Sequence, residues 1–253
     1  MKWQEELDSF QGNVAAYYRQ IGGDAFFFNA DRPMIAASII KLPILVAAYL
    51  EISKGNLDPG RSAVIHNSDK VPSCGVLSYL HDGLSVTVRD LLELMIIVSD
   101  NTAANMIIDR LGIENINDAM TQLGIPGIRL RRKLFDDEAA ARGLQNTVTA
   151  RGIANLLERL LSKDLLAETW DEEMLSILKN QKLNGKLPFF LHPKNIQVAH
   201  KTGEDVGITN DVGIVFARKP FVLCMLSNDV DVPAFERLIQ DAALECWQES
   251  SAI

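Results

Sequence analysis

Apolar positions follow two different periods along this chain. At both ends they fall in short runs rich in β-branched and aromatic residues. Through the middle they recur every three to four residues. Near the start, "GNVAAYYRQ" and "GDAFFFNAD", joined by "IGG", predict a β-hairpin. Residues 36–50, "AASIIKLPILVAAYL", predict a core helix, and "KGNLDPG" after it is a turn cluster. "SVTVRDLLELMIIVSD" predicts a helix whose start is marked by Ser or Thr. "NTAANMIIDRLG" predicts a second, closed by Gly112, and "IENINDAMTQLG" repeats the plan. "LRRKLFDDEAAARGLQN" is highly charged and lacks a period, which predicts a long loop with one helical turn. "TARGIANLLERLLSKD" and "DEEMLSILKNQ" return to helix. From residue 196, "IQVAHKTGE", "NDVGIVFAR" and "FVLCMLSND" predict three strands, and "PAFERLIQDAALECWQE" predicts a closing amphipathic helix.

Strands at both ends with helices between them predict a mixed α/β (α+β) architecture. Its antiparallel sheet is built from the N- and C-terminal segments and flanked by helices, with an all-helical lobe inserted. The expectation is one domain over residues 1–253. One lobe comprises 1–37 plus 185–253, and the other, mostly helical, comprises 38–184.

Composition narrows the function classes. The chain has 253 residues, 47% apolar and 23% charged, as in an ordinary globular protein. A net charge of -8 and a pI near 5.1 argue against nucleic acid or an anionic membrane as main partner. Cys74, Cys224 and Cys246 are odd in number with no CxxC pair, so they signal neither a disulfide framework nor a zinc site. A free thiol such as Cys74 is by default inert. His66, His81, His192 and His200 lack metal-ligand spacing, and no metal or cofactor is expected. "MKWQEELDSF" has no apolar leader core, and no uninterrupted apolar run reaches ~18 residues. The chain as given therefore reads as cytoplasmic, or as secreted if a leader has been trimmed.

Ser38 and Lys41 stand at the start of the apolar run, and i, i+3 spacing places them on one helical face. They are either polar residues at a frayed end or a nucleophile beside the amine that activates it. A lone S-x-x-K occurs roughly once by chance in a chain of this length, and Ser176 with Lys179 matches it as a solvated helix face. Ser38 has company, however. Ser99-Asp100-Asn101 lies at a junction of two helices, and Lys201-Thr202-Gly203 lies on a predicted strand. The order S-x-x-K, S-D-N, K-T-G resembles that of class A β-lactamases and penicillin-binding proteins. "FNADRPMIAASIIKLPI", "VRDLLELMIIVSDNTAANMIID" and "HKTGE" before "ITNDVGIVF" are similar to the corresponding stretches of that family. The resemblance runs from about residue 12 to 248 and implies a β-lactamase/transpeptidase-like fold.

Each residue has a chemical reason to be present. A serine hydroxyl is a poor nucleophile until its proton is removed. Lys41 can remove it only as a neutral amine; burial, a helix N-terminus and the neighbouring charge of Lys201 all favour that form. The resemblance implies that Ser99 relays protons to the leaving nitrogen and that Asn101 hydrogen-bonds a substrate amide. It also implies that Lys201 and Thr202 hold a substrate carboxylate. Simple strand alternation sends Lys201 and Gly203 one way and His200 and Thr202 the other. Gly203 would let substrate approach the backbone. The backbone N–H groups of Ser38 and Glu204 match the family's oxyanion hole. Asp100 reads as a turn-former and helix cap.

Two positions depart from the family. Class A β-lactamases carry a glutamate and, four residues on, an asparagine that position the deacylating water. An ungapped count from Gly124 puts Leu134 and Glu138 there. Asp136 or Glu138 in a slipped register would be a substitute base; a solvated acidic turn is the alternative. Glu204 stands where a small or hydroxyl residue is common, and its carboxylate should repel an anionic substrate unless it points away or is paired. The expected function is acyl-enzyme hydrolysis of a small-molecule β-lactam amide on Ser38, with slow deacylation. A D-Ala-type peptidase or small-ester hydrolase on the same machinery is the alternative. A β-lactam sensor that stays acylated is a third reading.

Overall fold

The computed structural model describes residues 1–72 and 74–251. Its first elements are α1 (Lys2–Ser9), β1 (Asn13–Gln20), β2 (Ala25–Phe28) and β3 (Met34–Ile35). A short 3-10 turn, Ala37–Ile40, leads into α2 (Lys41–Ser53). The middle of the chain holds β4 (Ser62–Ile65), β5 (Leu84–Thr87), α3 (Val88–Ile97), α4 (Asn101–Leu111), α5 (Ile113–Gln122), α6 (Asp137–Ala141), β6 (Thr147–Val148), α7 (Ala150–Ser162) and α8 (Glu168–Lys179). The last elements are β7 (Val198–Asp205), β8 (Ile208–Val215), β9 (Phe221–Asn228) and α9 (Val232–Ser251).

The five long strands form one antiparallel sheet in the order β2-β1-β9-β8-β7. Period-2 alternation sorts its side chains between two cores. Val14, Ala16, Tyr18, Leu223 and Met225 pack with Trp3, Leu7 and Phe235, beneath α1 and α9. Ala15, Tyr17, Val212, Val222 and Cys224 point the other way, toward α7 and the larger core. Both faces of the sheet are thereby covered, and β8 is buried along its whole length. The inner core runs on without a break into α2 to α5, α7 and α8. Among the described residues no helix is long and apolar enough to cross a membrane.

Helix starts follow local chemistry. Thr87 Oγ1 accepts from Asp90 N at 3.1 Å while Asp90 Oδ2 accepts from Thr87 N at 2.8 Å, a reciprocal cap on α3. The residues before that cap, Leu84–Thr87, pair as a strand with β4 rather than joining the helix. Within the first ten residues, polar in composition, Lys2–Ser9 form a helix that the sequence did not announce. Two apolar side chains suffice: Trp3 and Leu7 lie one turn apart and are buried, Trp3 edge-on to Tyr18 and Phe26. The loop with one expected helical turn contains α6, and β6 ties its end to β3 just before Ser38.

Candidate active site

Ser38 sits in the 3-10 turn that feeds α2, after Ala37 at φ 45°, a left-handed conformation uncommon for a residue with a Cβ. Lys41 is the first residue of α2 and is fully buried. Its Nζ lies 2.9 Å from Ser38 Oγ, 3.0 Å from Ser99 Oγ, 2.7 Å from Ser99 O and 2.6 Å from Asn101 Oδ1. An ammonium has three protons for these four oxygens. A neutral amine has two protons and a lone pair: with the protons on the two carbonyl oxygens, Ser99 O and Asn101 Oδ1, the lone pair is left to accept a hydroxyl proton. Burial, reinforced by the charge of Lys201, holds Lys41 well below the ordinary lysine range.

Ser99 ends the turn between α3 and α4 at φ 56°, and this strained backbone aims its hydroxyl at both lysines. Asp100 holds that turn. Its Oδ1 caps α4 by accepting from Ala103 N at 3.0 Å, and its Oδ2 accepts from Val76 N and Leu77 N at 2.7 and 2.9 Å. Gly75 packs so closely on Asp100 that a Cβ would collide with the carboxylate. Asn101 donates from Nδ2 to Pro72 O at 3.3 Å and lines the same cavity as Ser38.

β7 supplies the opposite wall. Lys201 is buried, and its Nζ donates to Ser99 Oγ at 3.0 Å and to Thr202 O at 2.8 Å. Burial lowers its pKa to about 7, with the nearby Lys186 charge acting in the same direction and Asp211 opposing. His200 faces away, within 2.9 Å of Asp211 Oδ1 and 3.1 Å of Asn184 Oδ1. Thr202 nevertheless lines the cavity, because β7 is the sheet edge and the cavity opens along it. Gly203 lies between Thr202 and Glu204, which both line the cavity. A Cβ there would meet Ala36 O and Ile39 at 3.0 Å, so its bareness lets β7 approach the Ser38 turn. Glu204 lines the cavity, and its Oε1 is held 2.9 Å from Lys186 Nζ.

The cavity has a volume of about 550 Å³. Its floor is Ser38, and its far side is the loop between α5 and β6. Asn105, from α4, clamps that loop at Leu134: Oδ1 accepts from Leu134 N at 2.8 Å and Nδ2 donates to Leu134 O at 2.9 Å. Leu134 lines the cavity. The structure does not bring Asp136 or Glu138 into the cluster. Asp136 Oδ1 accepts from Ala139 N at 2.9 Å as the cap of α6, and Glu138 is exposed outside the lining. Asp137 between them does line the cavity, as do Arg132, Cys74 and Val206. Sequence reasoning also passed over Lys186. Its only signal was a lone cation beside the apolar run "LPFFL".

Comparison with known proteins bears on the family and the fold. The model of the β-lactamase enzyme family matches residues 2–250. β-Lactamase CARB-3 of Pseudomonas aeruginosa is 26% identical over 183 residues, 72% of this chain and 63% of its own length. The chain thus spans under two thirds of that relative. A β-lactamase from Sphaerobacter thermophilus DSM 20745 superposes with a TM-score of 0.92 at 30% identity, covering 98% of this chain and 95% of the other. PBP-A superposes with a TM-score of 0.87 at 27% identity, covering 98% and 94%. A leucine-to-glutamate variant of PBP-A was solved as an acyl-enzyme complex with penicillin G. With the family model spanning nearly its whole length, the chain belongs to the β-lactamase enzyme family.

Proposed function

We propose that this chain is a serine hydrolase that is acylated on Ser38 by the amide of a β-lactam and releases the acyl group slowly. The observation that carries the proposal is the fully buried Lys41 amine, 2.9 Å from Ser38 Oγ and 3.0 Å from Ser99 Oγ. Neutral Lys41 takes the Ser38 proton as Oγ attacks the carbonyl carbon. The oxyanion accepts hydrogen bonds from the backbone N–H groups of Ser38 and Glu204. The C–N bond then breaks, and the leaving nitrogen takes a proton from Ser99, which Lys41 replenishes. Lys201 and Thr202 hold the substrate carboxylate, and Asn101 a side-chain amide.

Deacylation adds water to the Ser38 ester, releasing the acid and restoring the hydroxyl. Leu134 fills the cavity wall where the family's base is expected, so this water is poorly activated. The apolar Leu134 also favours a second reading, a D-Ala-type peptidase or small-ester hydrolase. Intact-mass spectrometry over time after adding penicillin G tests the proposal. A one-equivalent adduct that forms quickly, decays slowly and vanishes in Ser38→Ala is expected. Label retained in Ser38→Ala, or mapped to Cys74, would overturn it.

A further inference from the structure

Lys186 lies on the stretch between α8 and β7, and its side chain is only 3% exposed. A buried ammonium is costly unless paired. Its Nζ is 2.9 Å from Glu204 Oε1, 3.3 Å from Asn210 O and 3.9 Å from Glu236 Oε1. Glu236 is itself fixed, accepting from Thr209 Oγ1 at 3.1 Å. Glu204 is the opposite case. Its side chain is 56% exposed on the cavity rim, and Lys186 pins it there. Asp205, next along β7, and Asp137 across the opening line the same cavity. The Arg132 guanidinium reaches it from the loop side, where Nη1 and Nη2 donate to Lys133 O and Gln145 Oε1.

We infer that the Lys186–Glu204 pair is a charge lock that sets which acyl donors reach Ser38. It engages the buried cation with the protein's own carboxylate and biases the site toward donors without negative charge beside the scissile carbonyl. Relative to a site without that carboxylate, it shifts the preference from anionic β-lactams toward neutral or cationic esters and amides. The inference rests on the acyl-serine reading of Ser38. Glu204 lies two residues along β7 from Thr202, on the same side of the strand and lining the same cavity, so an anionic donor held by Thr202 meets its carboxylate as it seats. Lys186 acts as a positioning residue through Glu204. A unit charge within ~6 Å, at an effective dielectric of ~20, changes such an encounter about tenfold or more.

Glu204→Gln keeps the size and an oxygen for Lys186 while removing the charge. The test compares acylation rate constants for penicillin G, which is anionic, and p-nitrophenyl acetate, which is neutral, each corrected with Ser38→Ala. In Glu204→Gln the penicillin-to-ester ratio is expected to rise about tenfold. Added salt should speed penicillin acylation of the unaltered protein and slow it in the variant. Lys186→Arg should keep the original ratio. Lys186→Gln, which leaves Glu204 unpaired, should lower it further, whereas a purely structural role would depress both rates together. A ratio that stays within twofold or falls in Glu204→Gln overturns the charge lock while leaving Ser38 acylation standing. Failure of both probes to acylate Ser38 overturns the acyl-serine reading and the lock with it.

Discussion

Lys41 and Lys201 reach the same hydroxyl, Ser99 Oγ, each at 3.0 Å, yet the roles proposed for them differ, as do their surroundings. Lys41 touches Ser38; Lys201 stands on the β7 wall behind Thr202. Lys41→Ala is expected to slow acylation by any donor, by ~10²–10⁴ for a lost general base. Lys201→Ala should reduce penicillin acylation more than ester acylation, and equal losses would contradict a carboxylate-holding role. The Lys201 pKa of about 7 adds a pH signature. Its protonated fraction falls about tenfold between pH 6 and 8, so the penicillin-to-ester ratio should fall with it, by up to that factor, and flatten in Lys201→Ala. Stability carries the opposite sign. Between about 7 and the ordinary lysine value of 10.5 the unfolded chain holds a proton that the folded chain lacks, so this lysine makes stability rise with pH there. Denaturant midpoints across that range, compared with Lys201→Met, measure the contribution. At this scale much of the proposed site could be read in advance, since S-x-x-K, S-D-N and K-T-G each name their residues. What Gly203 packs against was not legible, because sequence cannot say which neighbour a bare α-carbon approaches. Here it is the Ser38 turn.

The loop from Ile125 to Asn146 shows what an element adds. It has no hydrophobic period, so its register comes from distant polar side chains. Asn105 fixes Leu134 from 29 positions away, and Asn146 Oδ1 accepts from Arg131 N and Arg132 N at 2.7 and 3.1 Å. No local pattern announces such clamps, which is why an ungapped count could place Leu134 but could not sort the three acids after it. The structure sorts them by position. Asp136 caps a helix, Glu138 faces solvent and Asp137 borders the cavity. Leu134→Glu is expected to shorten the acyl-enzyme lifetime by ~10²–10⁴ with the burst unchanged, read by the decay of the adduct mass. Asp137→Asn should lengthen that lifetime. Asp136→Ala should instead cost about 1 kcal/mol of stability through the lost cap, measured by chemical denaturation.

At the scale of the molecule, the sheet was legible as strands at both ends of the chain, because alternation survives wherever one face meets a core. The two-residue strands β3 and β6 were not, being too short to show any period, and α1 was hidden by its polar composition. α1 still matters to the whole. Trp3 is buried against Tyr18 and Phe26, so Trp3→Ala should destabilise the protein by ~3–5 kcal/mol, a loss visible in the urea midpoint. The pairing of β1 with β9 has a consequence in time. Asn13 bonds Asp229, 216 residues further on. At ~5–20 residues per second, a ribosome needs about 10–40 s between making one and the other. Through that interval the β1–β2 hairpin, with Tyr17, Tyr18 and Phe26 to Phe28, has an open edge of the kind that recruits other strands. For most of that interval, from Lys41 until Lys201 is made, the nascent chain carries Ser38 and Lys41 without Lys201. The site is therefore completed only once the ribosome has passed Lys201, and whatever shields the waiting hairpin governs how many chains reach that point.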